Sequence, residues 1–399
     1  MCANLRRIHS TAQVHAQALA SLQAETLALC YTEVKNNFPN DGKSFIINME
    51  WAPSVEERAC GMTTMKDVAR RAEVSESTVS HVVNNTRAVS EGKKSRVLLA
   101  IRELGFSANA HARGLALGRS NFLGMLVSDI ENPFFPGVIK AFEDIARQHG
   151  FDVLLFSTNY DMEIAARACQ KLVENQAPAV AVMTSQLDLA LLDYLTSNNV
   201  ASVMLDGATA APHRSSLHVR YERGAVEGVQ CLFNLGHRDL AMIAGPQNRR
   251  SHIAYRAAVE SAAWALNCRL RVIDGLNTAE SGADGVKELL TAGALPTAIL
   301  CGNDLTALGA IQALSRSGLR VPEDISVIGA VDIPVSELMT PPLTTVHIPR
   351  QTLGRMAFSV IQKMLNGDLP EGIEASLDTH LIVRGSTGAC RKHEPGTPL

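Results

Sequence analysis

Residues 64–84, TMKDVARRAEVSESTVSHVVN, narrow the choice of folds more than any other stretch of this 399-residue chain. Thr64 can accept a hydrogen bond from the Asp67 amide while Asp67 reaches back, so Thr64-x-x-Asp67 reads as a capping box. Val68, Ala69 and Ala72 then recur at helical spacing as a buried face. The turn Glu73-Val74-Ser75 follows, with Ser75 placed to cap a second helix. In that helix Val79, Val82 and Val83 point inward, leaving Glu76, Ser77, Ser80, His81 and Asn84 outward. A third helix begins near Ser90, buries Val97, Ala100, Ile101 and Leu104, and ends at Gly105. The pattern is a helix-turn-helix whose short polar outward side chains suit base edges and phosphates. Taken alone it is matched by a small helical bundle with a solvated polar face.

Charge distribution fits the first of these readings. The net charge is −3, yet residues 62–120 hold ten Lys or Arg against five Asp or Glu. That stretch is +5 and the remainder −8, so a basic head sits on an acidic body, as phosphate contact at one end requires. Hydrophobic residues make up 46% of the chain, enough for two or three domains with sizeable cores, and no apolar run of membrane-spanning length occurs. The eight cysteines show no CxxC and no His/Cys cluster at zinc spacing, which points to reduced thiols, no metal and a cytoplasmic protein. Residues 1–61 lack the features of a signal peptide.

From Asn121 onward short apolar runs alternate with amphipathic stretches. Expected strands are Phe122–Val127, Val153–Ser157, Ala179–Met183, Ser202–Leu205, Leu240–Ile243, Ala298–Leu300 and Ser326–Ile328. Between them lie helical segments such as 136–149, 163–174 and 225–235. Strands separated by helices imply parallel sheets with right-handed crossovers. Two sets, around 121–221 and 222–346, predict two doubly wound α/β lobes, with a ligand cleft beyond the carboxyl ends of the strands.

Six segments carry a resemblance: MKDVARRAEVSESTVSHVVN (65–84), SANAHARGLALG (107–118), NPFF (132–135), LGHRDLAMIAGP (235–246), CGNDLTALGAIQAL (301–314) and MTPPLTTVH (339–347). In this order, across 62–390, they resemble the lac/gal repressor family of bacterial transcription regulators, the ribose- and purine-repressor branch in particular. The resemblance implies a helix-turn-helix domain at 62–107, a hinge helix and linker at 108–120, and a two-lobed core of the periplasmic-binding-protein type at 121–390. It also implies three crossings between lobes, giving lobe one about 121–221 and 347–375, lobe two about 222–346 and 376–390, and a tail at 391–399. In such relatives the capping box lies at the very start, so 1–61 reads as an over-called translation start with Met62 or Met65 the initiator, or else as an extra segment.

On the family pattern Glu76, Ser77 and His81 read bases, Glu76 accepting from cytosine N4 and His81 donating to guanine. Thr64, Ser75, Thr78, Ser80 and Asn84 fall at phosphate-binding positions. Leu115 matches a leucine that wedges into the central minor-groove step, with Asn109 and Arg113 as flanking contacts. Its bland counterpart is an ordinary linker leucine. Gly114 and Gly118 make this helix weak in isolation, as a hinge that folds only on DNA must be. Two hinges meeting at one site imply a homodimer, or a tetramer, on a near-palindromic operator.

For the effector, the resemblance carries over Asn132, Phe134, Phe135, Asp206, Arg256, Asn303 and Asp332. Each has a plainer reading: Phe134 or Phe135 as a hydrophobic cap, Asp206 as a turn starter before Gly207, Asp304 rather than Asn303 as the cap of the following helix. The departures are Val331, where relatives place a ligand-gripping Asp, Ile348, where they place Gln, and an arginine out of register among Arg249, Arg250 and Arg256. They make a plain pentose or hexose less fitting and leave a sugar acid or phosphorylated metabolite compatible. The expected function is a DNA-binding regulator, by family habit a repressor of a metabolic operon, governed by a sugar, sugar acid or related metabolite, without cofactor. The alternatives are a solute-binding protein, against which the helix-turn-helix stands, and a doubly wound enzyme. No GxGxxG after a strand, GxxxxGK[ST] or GxSxG supports the enzyme, and Cys301 has no evident base.

Overall fold

A computed structural model describes residues 63–84, 87–106, 120–184, 187–207, 209–293 and 295–391, without the Asn84 side chain. The chain divides into two units after Thr64. Asn109, Arg113 and Leu115 lie outside the described residues.

Three helices open the second unit: α1 (Met65–Ala72), α2 (Glu76–Asn84) and α3 (Glu91–Leu104). Val68, Ala69, Ala72, Val79, Val97 and Ala100 form their core, with Val82, Val83, Ile101, Leu104 and Phe106 packed around it. Valines 68, 79 and 97 are fully buried, each contributing about 1.5–3 kcal/mol of apolar burial. Ser75 caps α2 by accepting from the Thr78 amide at 3.2 Å. Gly105 ends α3 at φ 59°, a left-handed conformation that glycine adopts without a Cβ clash.

The body holds two six-stranded sheets. In the first, β1 (Phe122–Val127), β2 (Asp152–Ser157), β3 (Ala179–Met183), β4 (Ala201–Leu205), β5 (Arg214–Arg220) and β11 (Glu374–Asp378) lie in the order β11-β5-β4-β3-β1-β2, all parallel. In the second, β6 (Asp239–Ala244), β7 (Arg269–Asp274), β8 (Ala298–Cys301), β9 (Ser326–Val331), β10 (Thr344–His347) and β12 (His380–Ile382) lie in the order β12-β10-β9-β8-β6-β7. Only β12 runs antiparallel to its neighbour in that sheet. Helices α4 (Phe135–Gln148), α5 (Met162–Glu174), α6 (Leu189–Ser197) and α11 (Arg350–Leu365) cover the first sheet. Helices α7 (Tyr221–Asn234), α8 (Arg250–Ala265), α9 (Ala279–Thr291) and α10 (Asp304–Arg316) cover the second. Burial on both faces explains why strands such as AVAVM and ASVML read as unbroken apolar runs.

The chain passes between lobes three times: from β5 into α7, from β10 into α11, and from β11 into β12. Five strands, β5, β7, β10, β11 and β12, stand outside the set expected from apolar runs. Sequences such as RSSLHVR and EASLD are too polar to announce themselves.

Candidate effector cleft and nucleic-acid interface

On the helical bundle, Ser75, Glu76 and Ser77 are exposed, while Thr78, Ser80 and His81 are partly so. The Ser75 hydroxyl lies 2.8 Å from those of Ser77 and Thr78. The polar face of α2 is therefore laid out on a rigid, valine-filled support, the geometry by which a helix presents side chains to a groove. Asp67 faces Arg70 at 3.4 Å.

Between the two lobes lies a cleft of about 110 Å³, lined from both sides. From lobe one come Asn132, Phe134, Phe135, Tyr160 and Asp206; from lobe two come Arg249, His252, Tyr255, Asn277 and Asn303. Asn132 accepts from the Phe134 amide at 3.0 Å, turning the chain into α4. The two phenylalanines meet edge to face at 5.1 Å. Phe135 is 6% exposed and belongs to the lobe-one core, whereas Phe134 is only partly buried. One ring caps, the other faces ligand space.

Asp206 sits at φ 50° after β4 and accepts from the Val219 amide and the Tyr221 hydroxyl, both at 2.9 Å. Burial lifts its carboxyl above the ordinary value despite those bonds. Asn303, not Asp304, caps α10: its side-chain oxygen accepts from the Thr306 amide at 2.8 Å and its amide donates to the Asn277 carbonyl at 2.9 Å. Asp304 points instead to β9 and β10, accepting from the Ile333 amide at 2.7 Å and the Thr345 hydroxyl. Gly329 lies against it, since a Cβ there would meet its carboxylate.

Two expected residues stand elsewhere. Arg256 does not line the cleft: its guanidinium binds Glu260 at 2.8 Å, one helical turn on, and Asp274 at 3.0 Å. Asp332 is also off the wall, held by His347 at 2.7 Å and Arg384 at 2.8 Å. The cleft cation is Arg249, stacked 3.6 Å over the Tyr160 ring across the lobes. Arg250 reaches the Gly207 carbonyl of lobe one at 3.3 Å. Val331 lines the cleft at φ 102°, a conformation strained for a β-branched residue. Tyr160, Tyr221, His252, Tyr255 and Asn277 are among the lining residues that carry no sequence motif. Tyr221, directly after a polar run, carries no motif to flag it.

Two buried groups titrate in opposite senses. Burial, then the charge of Arg249, pushes the His252 imidazole from 6.5 down to about 4. Burial pushes the Asp304 carboxyl from 3.8 up to about 6, against its hydrogen bonds. As pH falls from 6.5 toward 4 the unfolded chain takes up the His252 proton first, so stability is lost. Below about 6 the folded chain takes up the Asp304 proton first, so stability is gained. Each is of the order of 3 kcal/mol when complete. Between pH 7 and 5 these two contributions therefore largely offset one another in the wild type. The His252→Asn midpoint should rise over that span and the Asp304→Asn midpoint should fall. Variants that track the wild type would refute both assignments.

The model for bacterial regulatory proteins of the lacI family matches residues 64–109, and that for a periplasmic binding protein-like domain matches residues 229–387. The HTH-type transcriptional repressor PurR of Pasteurella multocida (strain Pm70) is 32% identical over 330 residues, spanning 82% of this chain and 98% of the repressor. The chain belongs to the bacterial lacI family. This lacI-family protein is 34% identical over 335 residues to the PurR repressor of Haemophilus influenzae (strain PittEE), spanning 82% of the chain and 98% of that repressor. It is similar in structure to the lac repressor dimer bound to operator and the anti-inducer ONPF, with a TM-score of 0.74, 29% identity, and coverage of 82% of this chain and 100% of that one. The transcriptional regulator CelR in complex with cellobiose matches at 0.60 and 28%, over 81% of this chain and 99% of that one. The lacI-family protein is thus a DNA-binding transcriptional regulator of the repressor type, and its relatives are repressors rather than enzymes. No helix among the described residues is long and apolar enough to cross a membrane.

Proposed function

We propose that this chain represses a metabolic operon in the cytoplasm by binding, as a homodimer, a near-palindromic operator. A small metabolite in the interlobe cleft controls its affinity. The observation that carries this reading is the joining, in one chain, of a helix-turn-helix to a cleft whose two walls come from two lobes, each with its own sheet. A ligand that touches both walls biases their relative placement, and that bias is what a paired hinge can sense. In this reading 62–107 reads DNA, 108–120 is the hinge, and 121–390 senses metabolite.

Glu76, Ser77 and His81 read bases, while Thr64, Ser75, Thr78, Ser80 and Asn84 set register on phosphates. Asn109 and Arg113 contact DNA beside Leu115, the minor-groove wedge. The effector is a sugar, sugar acid or related metabolite, in the cleft that Asn132, Phe134, Phe135, Asp206 and Asn303 help to line. Footprinting on DNA upstream of the chain's own gene tests the reading: a symmetrical protected site is expected, and its absence throughout the source genome would sink the proposal. Leu115→Ala should lower operator affinity by roughly ten- to a hundredfold while sparing nonspecific binding. Equal loss of both would refute the wedge.

A further inference from the structure

The acidic and amide groups facing the cleft are mostly spoken for within the protein. Both oxygens of Asp206 accept internal bonds, from the Val219 amide and Tyr221. Those of Asp304 accept from Ile333 and Thr345, and Asn303 is engaged at both ends. Three polar atoms on the lobe-two wall are different: Arg249 Nε, the Tyr255 hydroxyl and Asn277 Oδ1 are buried and have no hydrogen-bond partner. Tyr255 is 3% exposed. Arg249 has no carboxylate partner among the described residues, in contrast to Arg256, which has two. Its charge is felt nearby, for it helps hold His252 neutral. A half-buried cation with an unsatisfied nitrogen is costly to keep and is relieved by an anion.

The set is chemically asymmetric, offering a guanidinium and a phenol as donors but a single amide oxygen as acceptor. Arg249 lies at the N-terminus of α8, a sixteen-residue helix with no side-chain cap, whose dipole adds further positive potential there. Phe134, Val331 and Ile348 also line the cleft and offer apolar surface but no hydroxyl partners. A neutral sugar brings no charge to meet Arg249. A neutral heterocyclic base would leave Arg249 uncompensated. The space of about 110 Å³ is small beside the roughly 300–1,000 Å³ of drug-sized pockets.

We propose that the cleft selects a small, flat, singly charged ring acid, its carboxylate on Arg249 and Tyr255 and one further hydrogen-bond donor on Asn277. This rests on the reading of the cleft as the effector site. Calorimetry on the full chain tests it with two matched pairs of probes: para-hydroxybenzoate against its amide, and pyrrole carboxylate against its amide. At least one acid should bind, one per chain, roughly ten- to a hundredfold more tightly than its neutral partner. Arg249→Gln should abolish that preference, and Tyr255→Phe should weaken the acid by roughly tenfold. Arg256→Gln, with equal loss of charge outside the cleft, should keep the preference. Melting curves of each variant verify folding.

Failure of both acids to bind, parity between acid and amide, or a preference that survives Arg249→Gln would overturn the ligand class. If D-ribose or a purine base instead binds and shifts operator affinity in a gel-shift assay, effector control stands and only the ring acid is lost. If metabolites bind the cleft and none changes operator affinity, the effector reading falls with it.

Discussion

Alanine at position 309 is expected to lower the melting temperature by roughly 10 °C and to destabilise lobe two by about 3 kcal/mol or more. Gly309 lies on α10 where that helix crosses α9 at contact distance. A Cβ built there would stand 1.8 Å from the Ala279 carbonyl oxygen, and one on Gly282 would stand 2.0 Å from that of Thr306. The clashing atoms are backbone, so relief requires one helix to shift bodily. Such a shift would open the core of Val286, Leu289, Ala307 and Ala310 between helices and sheet. Gly92→Ala supplies the contrast. It lies in α3 with nothing within 4 Å of the added methyl, and should hold or gain up to about 1 kcal/mol. Circular dichroism melts of both variants decide the matter, and an unchanged midpoint for Gly309→Ala would contradict the close crossing.

Cutting Arg350 back to alanine is expected to disconnect effector from operator. Arg350 opens α11 at the second crossing, where its guanidinium donates to the Asp332 carbonyl at 2.6 Å and to the Pro133 carbonyl at 3.3 Å. Pro133 belongs to the cleft-lining segment that positions Phe134, and Asp332 directly follows β9 in lobe two. One half-buried side chain thus ties the cleft loop of lobe one to the end of β9 in lobe two. Allosteric couplings of this kind are typically worth about 5–150-fold in affinity. In Arg350→Ala the change in operator affinity on adding effector should shrink to within about twofold, while effector-free affinity stays within a few-fold of wild type. Arg350→Lys keeps the charge without the fork and should fall between. A variant that responds in full would show that coupling runs through other contacts.

Much of this was readable from residues alone where burial is total. The runs FLGMLV, AVAVM and DLAMIA announce central strands because water touches neither face, and the valine spacing of 68, 79 and 97 announces the helical bundle. Strands β7 and β11 escaped because they lie at sheet edges, where charged side chains face solvent. The arginine was misplaced for a reason that is local in hindsight. Arg256 and Glu260 are four apart on one helix, the spacing of a surface ion pair, whereas Arg249 precedes the helix and is free to turn inward. Asp332 illustrates the opposite case, for its partners His347 and Arg384 are 15 and 52 residues away, and no local pattern could unite them.

The triple crossing has a bearing on how the protein is made. The first sheet gets its last strand from residues 374–378, and the helix bearing Phe358, buried in that lobe's core, comes just before. During synthesis the earliest lobe must therefore wait, unfinished and with greasy surface showing, until residues 374–378 have left the ribosome. Premature termination anywhere before that edge strand would strand both halves, so half-length fragments of this regulator should be cleared as misfolded chains and not persist as working sensors.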